Sequence, residues 1–303
     1  MSGEQRNFAR AHPFKSIRSA GLRPGVPEQN RPMRVQSSLQ AHPVAISSPP
    51  VVEILGVPLA LTDYDEMLDW IDAAVDAGIP EYLTACNTHT LTASLEDDEL
   101  RDALLGASLN LPDGQPLVWA LDALGHPLQS RVYGPELMAR ACGRAAERGH
   151  RLYLYGGRNQ GALVQLALNL RQRHPGIRIV GGYSPPYRAL TDEESTAVAD
   201  EINHSRADIV WSGIGVPKQE KWMSRMRPRL NPPLLIGVGA AFDFHAGLVS
   251  QAPLWMQESG LEWTYRLAHE PRRLWRRYLR YNPRFVGAFV RQLSAHRRAQ
   301  RQR

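Results

Sequence analysis

Apolar positions over residues 51–250 alternate between short runs and rows at helical spacing, and this alternation predicts an α/β fold with a mostly parallel sheet. Residues 51–55 and 57–61 read as short strands, and Met67, Leu68, Ile71 and Val75 follow at helical spacing. Residues 82–86 form a strand that ends in Asn87-Thr88-His89, and one helix is expected through Leu91, Leu95 and Leu100. Leu109, Asn110 and Leu111 make a very short strand before Pro112-Asp113-Gly114. Helices are predicted through Leu117, Val118, Leu121 and Leu124, and through Leu137, Met138 and Ala141, the second stopping at Gly149.

The second half repeats the architecture. Residues 152–155 run into Gly156-Gly157, Leu163, Leu166, Ala167 and Leu170 mark a helix face, and 177–180 is the next strand, with a loop over 181–187. Thr191 and Glu194 stand at capping-box spacing at the start of another helix. Two more apolar runs end in glycine, one at Gly213-Ile214-Gly215 and one at Gly237-Val238-Gly239. Parallel sheets bind ligands outside the carboxyl ends of their strands, so three such ends indicate a site. Beyond Gly247, Leu274, Trp275, Tyr278 and Leu279 share a helical face, Pro283 is predicted to interrupt the helix, and Phe285, Val286, Phe289, Val290 and Leu293 form another stripe. Arg272, Arg273, Arg276, Arg277, Arg280 and Arg284 border these rows. Two readings stand: an amphipathic element at a membrane surface, with rings in the interface and guanidinium groups at lipid phosphates, or a helical pair docked on the body. The expected boundaries are therefore an arm over 1–50, α/β halves over 51–148 and 149–250, and an Arg-rich helical appendage over 251–303.

Composition narrows the class. The 43% hydrophobic and 22% charged residues of this 303-residue chain suit a soluble globular protein, and no apolar run is long enough to span a bilayer. Cys86 and Cys142 are too few for a disulfide framework, which favours a reduced, cytosolic chain. The net charge of +6 is unevenly held: from Arg266 to Arg303 there are twelve arginines and one acid, Glu270, so the remainder is net negative. Such an end calls for an anionic partner, a phospholipid surface or a nucleic acid. A nucleic-acid-binding role explains the basic end but not the glycine-rich strand ends. Residues 1–50, with seven prolines and scattered basic residues, are expected to form a loosely packed arm. Arg6, Arg10 and Lys15 precede no apolar segment of the kind a secretory signal requires.

Candidate chemistry gathers at the strand ends. Proline and glycine around Asp113 fix a bend that holds an acid at a crevice, where it either accepts a proton from a sugar hydroxyl or serves only as a turn residue. Gly156 and Gly157 open a run able to present backbone donors to phosphate, but it lacks the spacing of a dinucleotide fingerprint or a P-loop. Gly213, Gly215, Gln219 and Glu220 suit a nucleotide, a ribose or sugar hydroxyls, and Lys218 and Lys221 either offset a diphosphate or lie in water. Asp243 is a uracil or ribose acceptor or a structural acid, and His245 is expected to be packed. Asp63-Tyr64-Asp65 has the form of a metal-holding Asp-x-Asp, yet Asp63 and Glu66 also have the spacing of a helix cap. No spacing gives a zinc site or a Ser-His-Asp set, so no metal or cofactor is expected.

In combination, Asn87-Thr88-His89, Leu111-Pro112-Asp113-Gly114, Arg131-Val132-Tyr133-Gly134, Tyr155-Gly156-Gly157, Tyr183-Ser184-Pro185-Pro186, the run from Gly213 to Glu220, the run from Gly237 to Asp243, Ala252-Pro253 and the Arg-rich end resemble the WecG/TagA/CpsF family of bacterial glycosyltransferases. The resemblance covers about residues 51–293 and implies two Rossmann-like halves with a membrane-associating C-terminal appendage. It implies an inverting, metal-independent transfer of a sugar from a UDP-sugar to a polyprenyl-diphosphate-linked saccharide in surface polysaccharide synthesis, at the cytoplasmic face of the inner membrane. Asp113 becomes the general base, and Asn87, Arg131 and Gln219 lie near donor or acceptor. One of Arg272, Arg273, Arg276 or Arg277 would stabilise the leaving diphosphate. Two positions depart from the pattern: Ala85 stands where a threonine is usual, and Gly134-Pro135-Glu136 replaces Gly-Thr-Asp. The donor sugar therefore stays open among N-acetylmannosamine, N-acetylmannosaminuronic acid and glucose, and self-association stays open too.

Overall fold

Leu55 and Gly56 both have positive φ, 53° and 77°, and turn strand β1 (Val51–Ile54) directly into its antiparallel partner β2 (Val57–Ala60). This hairpin lies beside the main sheet in a computed structural model that describes residues 47–302, apart from the side chain of Arg273. All but the last four residues of the expected arm lie outside the described residues. The chain continues through α1 (Tyr64–Ala77), β3 (Glu81–Cys86), α2 (Thr88–Ala93), α3 (Asp98–Leu105), β4 (Leu109–Pro112), α4 (Gln115–Ala123) and α5 (Gly134–Arg148). Then come β5 (Arg151–Gly156), α6 (Gln160–Arg173), β6 (Arg178–Tyr183), α7 (Asp192–Ser205), β7 (Ile209–Gly213), α8 (Lys218–Met226), β8 (Leu234–Gly237) and α9 (Ala241–His245). Helices α10 (Leu254–Glu258), α11 (Glu262–His269) and α12 (Pro271–Arg301) complete it.

The main sheet has the order β4-β3-β8-β7-β5-β6, and every pairing in it is parallel. Strand β8 sits between β3 and β7, so strands from both halves of the chain share one sheet. All its strands thus deliver their carboxyl ends to the same edge, which is where the loops carrying Asn87, Asp113, Gly157, Gly213 and Gly239 begin.

Local chemistry corrects three expectations. The single helix expected through Leu91, Leu95 and Leu100 is two, because Asp97 caps a new start by accepting from the Leu100 N–H at 3.1 Å. Strand β6 runs on to Tyr183 through the expected loop; Gly181 lets it pass over the Tyr153 ring, whose Cε2 a Cβ would meet at 2.6 Å. Pro283 lies inside α12 and does not end it. Its ring is exposed on the outer side, while Leu274 and Phe285 are buried on the inner side, and that packing outweighs the one backbone bond proline removes.

Helix α12 is docked on the body. Phe285 belongs to a core with Ile54, Leu59, Leu91 and Leu121, flanked by Tyr281, Phe289 and Leu293. Gln292 pins the hairpin, accepting from the Leu55 N–H at 2.9 Å and donating to the Glu53 carbonyl at 2.7 Å. Arg280 and Arg284 both pair with Glu96. The docked-pair reading of the sequence therefore describes this contact, yet the outer face of the same helix remains apolar. Trp275, Leu279, Val286 and Val290 recur at helical spacing and are 46–67% exposed. No helix among the described residues is long and apolar enough to cross a membrane.

Candidate active site

The strand ends surround a cleft of about 790 Å³. Of the residues singled out in the sequence, Asn87, Asp113, Gly157, Gly213, Gly215, Gln219, Asp243 and Arg277 line it. Lys218 and Lys221 also line it, whereas Gly156, Arg131, Glu220, Arg272 and Arg276 do not.

Asp113 stands at the end of β4, with its N–H donating to the Cys86 carbonyl at 2.8 Å. Its carboxylate Oδ1 accepts from the Gly134 N–H at 2.6 Å, and the Val132 N–H donates to the Pro112 carbonyl at 3.1 Å. Residues 131–134 are therefore a strap across the bend that holds the acid. Burial pushes the Asp113 pKa up to about 6, against the pull of Arg131 and the Gly134 N–H and with the Glu262 charge acting in the same direction as burial. Although protein packs closely around it, the side chain keeps a partly accessible face in the cleft.

Asn87 acts as the N-cap of α2. Its Oδ1 accepts from the His89 and Thr90 N–H groups at 3.0 and 3.2 Å, so helix capping fixes the carboxamide and leaves its nitrogen for the cleft. Burial, then the nearby Arg277 charge, bring the His89 pKa down to about 4, so this cleft residue is neutral at physiological pH.

The glycines divide by role. Gly156 and Gly213 are packing positions: a Cβ on Gly156 would meet the Gly213 backbone at 2.6 Å, and one on Gly213 would meet the Phe242 ring at 2.3 Å. The Gly157 N–H is used within the protein, donating to the Gly213 carbonyl at 3.3 Å. Gly215, at φ 82°, has open space beside it and bends the chain into α8.

Gln219 and Glu220 are both buried. Gln219 reaches the cleft; its Oε1 accepts from the Gly239 N–H at 2.9 Å and its Nε2 donates to Glu220 Oε1 at 2.8 Å. Glu220 does not line the cleft; it has no exposed surface, its Oε2 has no hydrogen-bond partner, and burial raises its pKa to about 7. An acceptor toward Gln219 Nε2 fixes which way the amide faces. Glu220→Gln, which keeps a carbonyl acceptor, is therefore expected to retain stability, whereas Glu220→Ala, which leaves the buried Gln219 Nε2 without that acceptor, lowers it by about 1–3 kcal/mol; melting curves of both purified variants check this.

Arg131 is placed behind Asp113 and not on the cleft wall. Its Nη2 pairs with Glu262 at 2.7 Å and bonds Gln257 at 3.2 Å, its Nη1 donates to the Asp113 carbonyl at 3.4 Å, and its guanidinium lies 4.1 Å from the centre of the Tyr133 ring. Asp243 receives Arg158 Nε at 3.1 Å. His245 is packed as expected, bonded to the Pro135 carbonyl at 2.8 Å and to Arg173 at 3.3 Å. Asp63 caps α1, accepting from the Glu66 N–H at 3.0 Å, which is the cap reading of Asp63-Tyr64-Asp65. Lys221 is paired with Asp97 and Glu99 at 2.7 and 3.2 Å.

Of the four candidate arginines, Arg277 lines the cleft; Arg272 and Arg276 do not, and the Arg273 side chain lies outside the described part. Sequence reasoning missed Arg266, Glu262 and Arg158, which also line it, and an aromatic wall in which Trp222 stacks on Tyr155 at 3.9 Å. The helical spacing of Arg266 and Glu262 within α11 was available as a signal, but charges on a helix read first as a solvated face.

A parallel sheet whose strand ends gather a perturbed carboxylate, amide side chains and arginines into one polar cleft fits a group transferase acting on an anionic donor. A model of the Glycosyl transferase WecG/TagA/CpsF family matches residues 52–299, and the chain belongs to that family; it is a glycosyltransferase. Among curated proteins it is similar to an N-acetylglucosaminyldiphosphoundecaprenol N-acetyl-beta-D-mannosaminyltransferase of Bacillus subtilis, 30% identical over 227 residues, 75% of this chain and 86% of that one. A protein of the same name from Bacillus spizizenii is 31% identical over 209 residues, 69% of this chain and 78% of the relative.

Proposed function

We propose that this protein transfers a sugar from a UDP-sugar to a saccharide carried on a polyprenyl diphosphate, by a single displacement that inverts the anomeric centre. The carrying observation is Asp113, an acid at the floor of the cleft, strapped by the Gly134 N–H and shifted toward neutral pH. A carboxylate with a pKa near 6 is ionised at neutral pH yet is a stronger base than an ordinary aspartate. In this reading Asp113 takes the proton of the acceptor hydroxyl as its oxygen attacks the anomeric carbon and the bond to the nucleotide diphosphate breaks. Arg277 and Arg266 on the arm side of the cleft offset the charge that develops on the leaving diphosphate. Trp222 on Tyr155 offers a flat apolar wall to the base, and Gln219, Asn87 and Asp243 meet hydroxyls or the base edge. Residues 51–148 and 149–250 then act as two Rossmann-like halves, acceptor side and nucleotide side, and 251–303 as a membrane-associating appendage at the cytoplasmic face.

The relatives' names specify N-acetylmannosamine and an N-acetylglucosamine-bearing lipid. Ala85 and Pro135, two departures from the family pattern, line the cleft of this chain, so its donor is better sought by experiment among N-acetylmannosamine, N-acetylmannosaminuronic acid and glucose. Intact protein, vesicles carrying polyprenyl-diphosphate sugars and a panel of UDP- and GDP-sugars, with and without EDTA, form the test. EDTA-resistant transfer from one UDP-sugar is expected; transfer only from a GDP-sugar, or only with added metal, would overturn that part of the reading.

A further inference from the structure

Glu262 is the one acid of α11, and it reaches across to the strap that holds Asp113. Its Oε2 pairs with Arg131 at 2.7 Å and its Oε1 accepts from the Tyr133 hydroxyl at 3.0 Å. Arg131 and Glu262 side chains are only 11% and 12% exposed, so water competes weakly for this pair. Gln257 of α10 adds a second acceptor to the same guanidinium at 3.2 Å, and is itself held by donating to the Ala252 carbonyl at 2.7 Å. On the other side, the strap touches the bend three times: through Arg131 to the Asp113 carbonyl, through Val132 to the Pro112 carbonyl and through Gly134 to the Asp113 carboxylate.

We infer that Glu262 is a positioning residue: through Arg131 and Tyr133 it locks the 131–134 strap around Asp113. This rests on the reading of Asp113 as the base, and it assigns α11 a role in the geometry of that base beyond covering the cleft. The groups facing Asp113 are Arg131 and Tyr133 from the strap, Glu262 and Arg266 from α11, Tyr64 from α1 and Cys86 from β3. Glu262 is the negative charge among those that bear most strongly on it, so removing that charge favours the ionised carboxylate.

The experiment compares wild type, Glu262→Gln, Glu262→Ala and Tyr133→Phe in full-length protein, with Asp113→Asn beside them, reading kcat, donor KM and the pH dependence of kcat. Folding is followed by melting temperature and arm docking by proteolysis within 262–303. Glu262→Ala should lose kcat on the order of 10²-fold with little change in KM, as expected for a misplaced reacting group. Glu262→Gln should recover much of that rate, with its acid limb moved to lower pH and the arm still protected. Tyr133→Phe should lose kcat in the same direction but less. Unchanged kcat and an unchanged acid limb in both Glu262 variants would overturn the inference. So would equal losses at every pH accompanied by an unprotected arm, which is what a purely structural tether gives. If Asp113→Asn keeps the wild-type rate, the base assignment fails instead; if it is inactive while both Glu262 variants are unaffected, only the role of Glu262 fails.

Discussion

Asp113→Asn should bind UDP as the wild type does and lose sugar transfer by about 10²–10⁴-fold, the usual worth of a positioned general base. Asparagine keeps an Oδ1 for the Gly134 N–H, so the bend and its strap survive. What it lacks is a site for the acceptor's proton. The loss should therefore fall on kcat and leave donor KM nearly unchanged, since the interaction removed is one made in the transition state. In the wild type, the raised pKa sets the sign of the pH dependence: below about 6 Asp113 is protonated and unable to act, above it the carboxylate is free, so kcat should rise through that region. The acid limb should vanish from whatever residual rate the variant retains. Steady-state rates across pH 5–8 check both points, and a variant with the full rate would remove Asp113 from the chemistry.

Replacing Trp255, Trp263, Trp275 and Leu279 with serine should remove the salt-resistant part of binding to anionic vesicles while sparing the fold. These four are 40–67% exposed, and Leu254, at 72%, lies beside them in sequence. Rings of Trp263 and Tyr278 meet edge to face at 5.7 Å, and the Trp119 ring closes on Gly260, which ties α4, α11 and α12 into one surface. A large apolar side chain transferred fully from water contributes about 1.5–3 kcal/mol, so even half insertion of four gives several kcal/mol, or more than about 10²-fold in affinity. The arginines that border them add an attraction that salt should screen. Co-sedimentation with vesicles at two salt concentrations separates the terms: the serine variant should lose the salt-resistant part. Transfer to a water-soluble acceptor should persist while transfer to a lipid-borne one collapses. Unaltered vesicle binding would mean that this face does not meet the membrane.

The sequence was most informative where backbone chemistry is local. Glycine after an apolar run marked the ends of β5, β7 and β8, and Pro112-Asp113-Gly114 marked the end of β4, because those residues are what a strand needs to turn into a crevice. It was less informative where roles depend on direction. Gln219 and Glu220 looked equivalent, yet successive helix residues point about 100° apart, so one meets the cleft and the other lies beneath it. Gly156 and Gly213 read in the sequence as ligand cradles, and direction adds what spacing cannot show: their missing Cβ lets backbone and the Phe242 ring pack closely. Arg131 suggested a substrate contact, but its partner Glu262 is 131 residues away, and no local spacing reveals such a pair. Pro283 broke a helix on paper because the packing of Leu274 and Phe285 that holds it together is tertiary.

The central claim is that an oxygen activated by Asp113 displaces the nucleotide in one step, and the anomeric configuration of the product reads this directly. NMR of the saccharide released from the lipid after transfer from an α-linked UDP-sugar should show the β-linked product alone. A product with the α configuration kept would require a second displacement or front-side attack and would contradict the account.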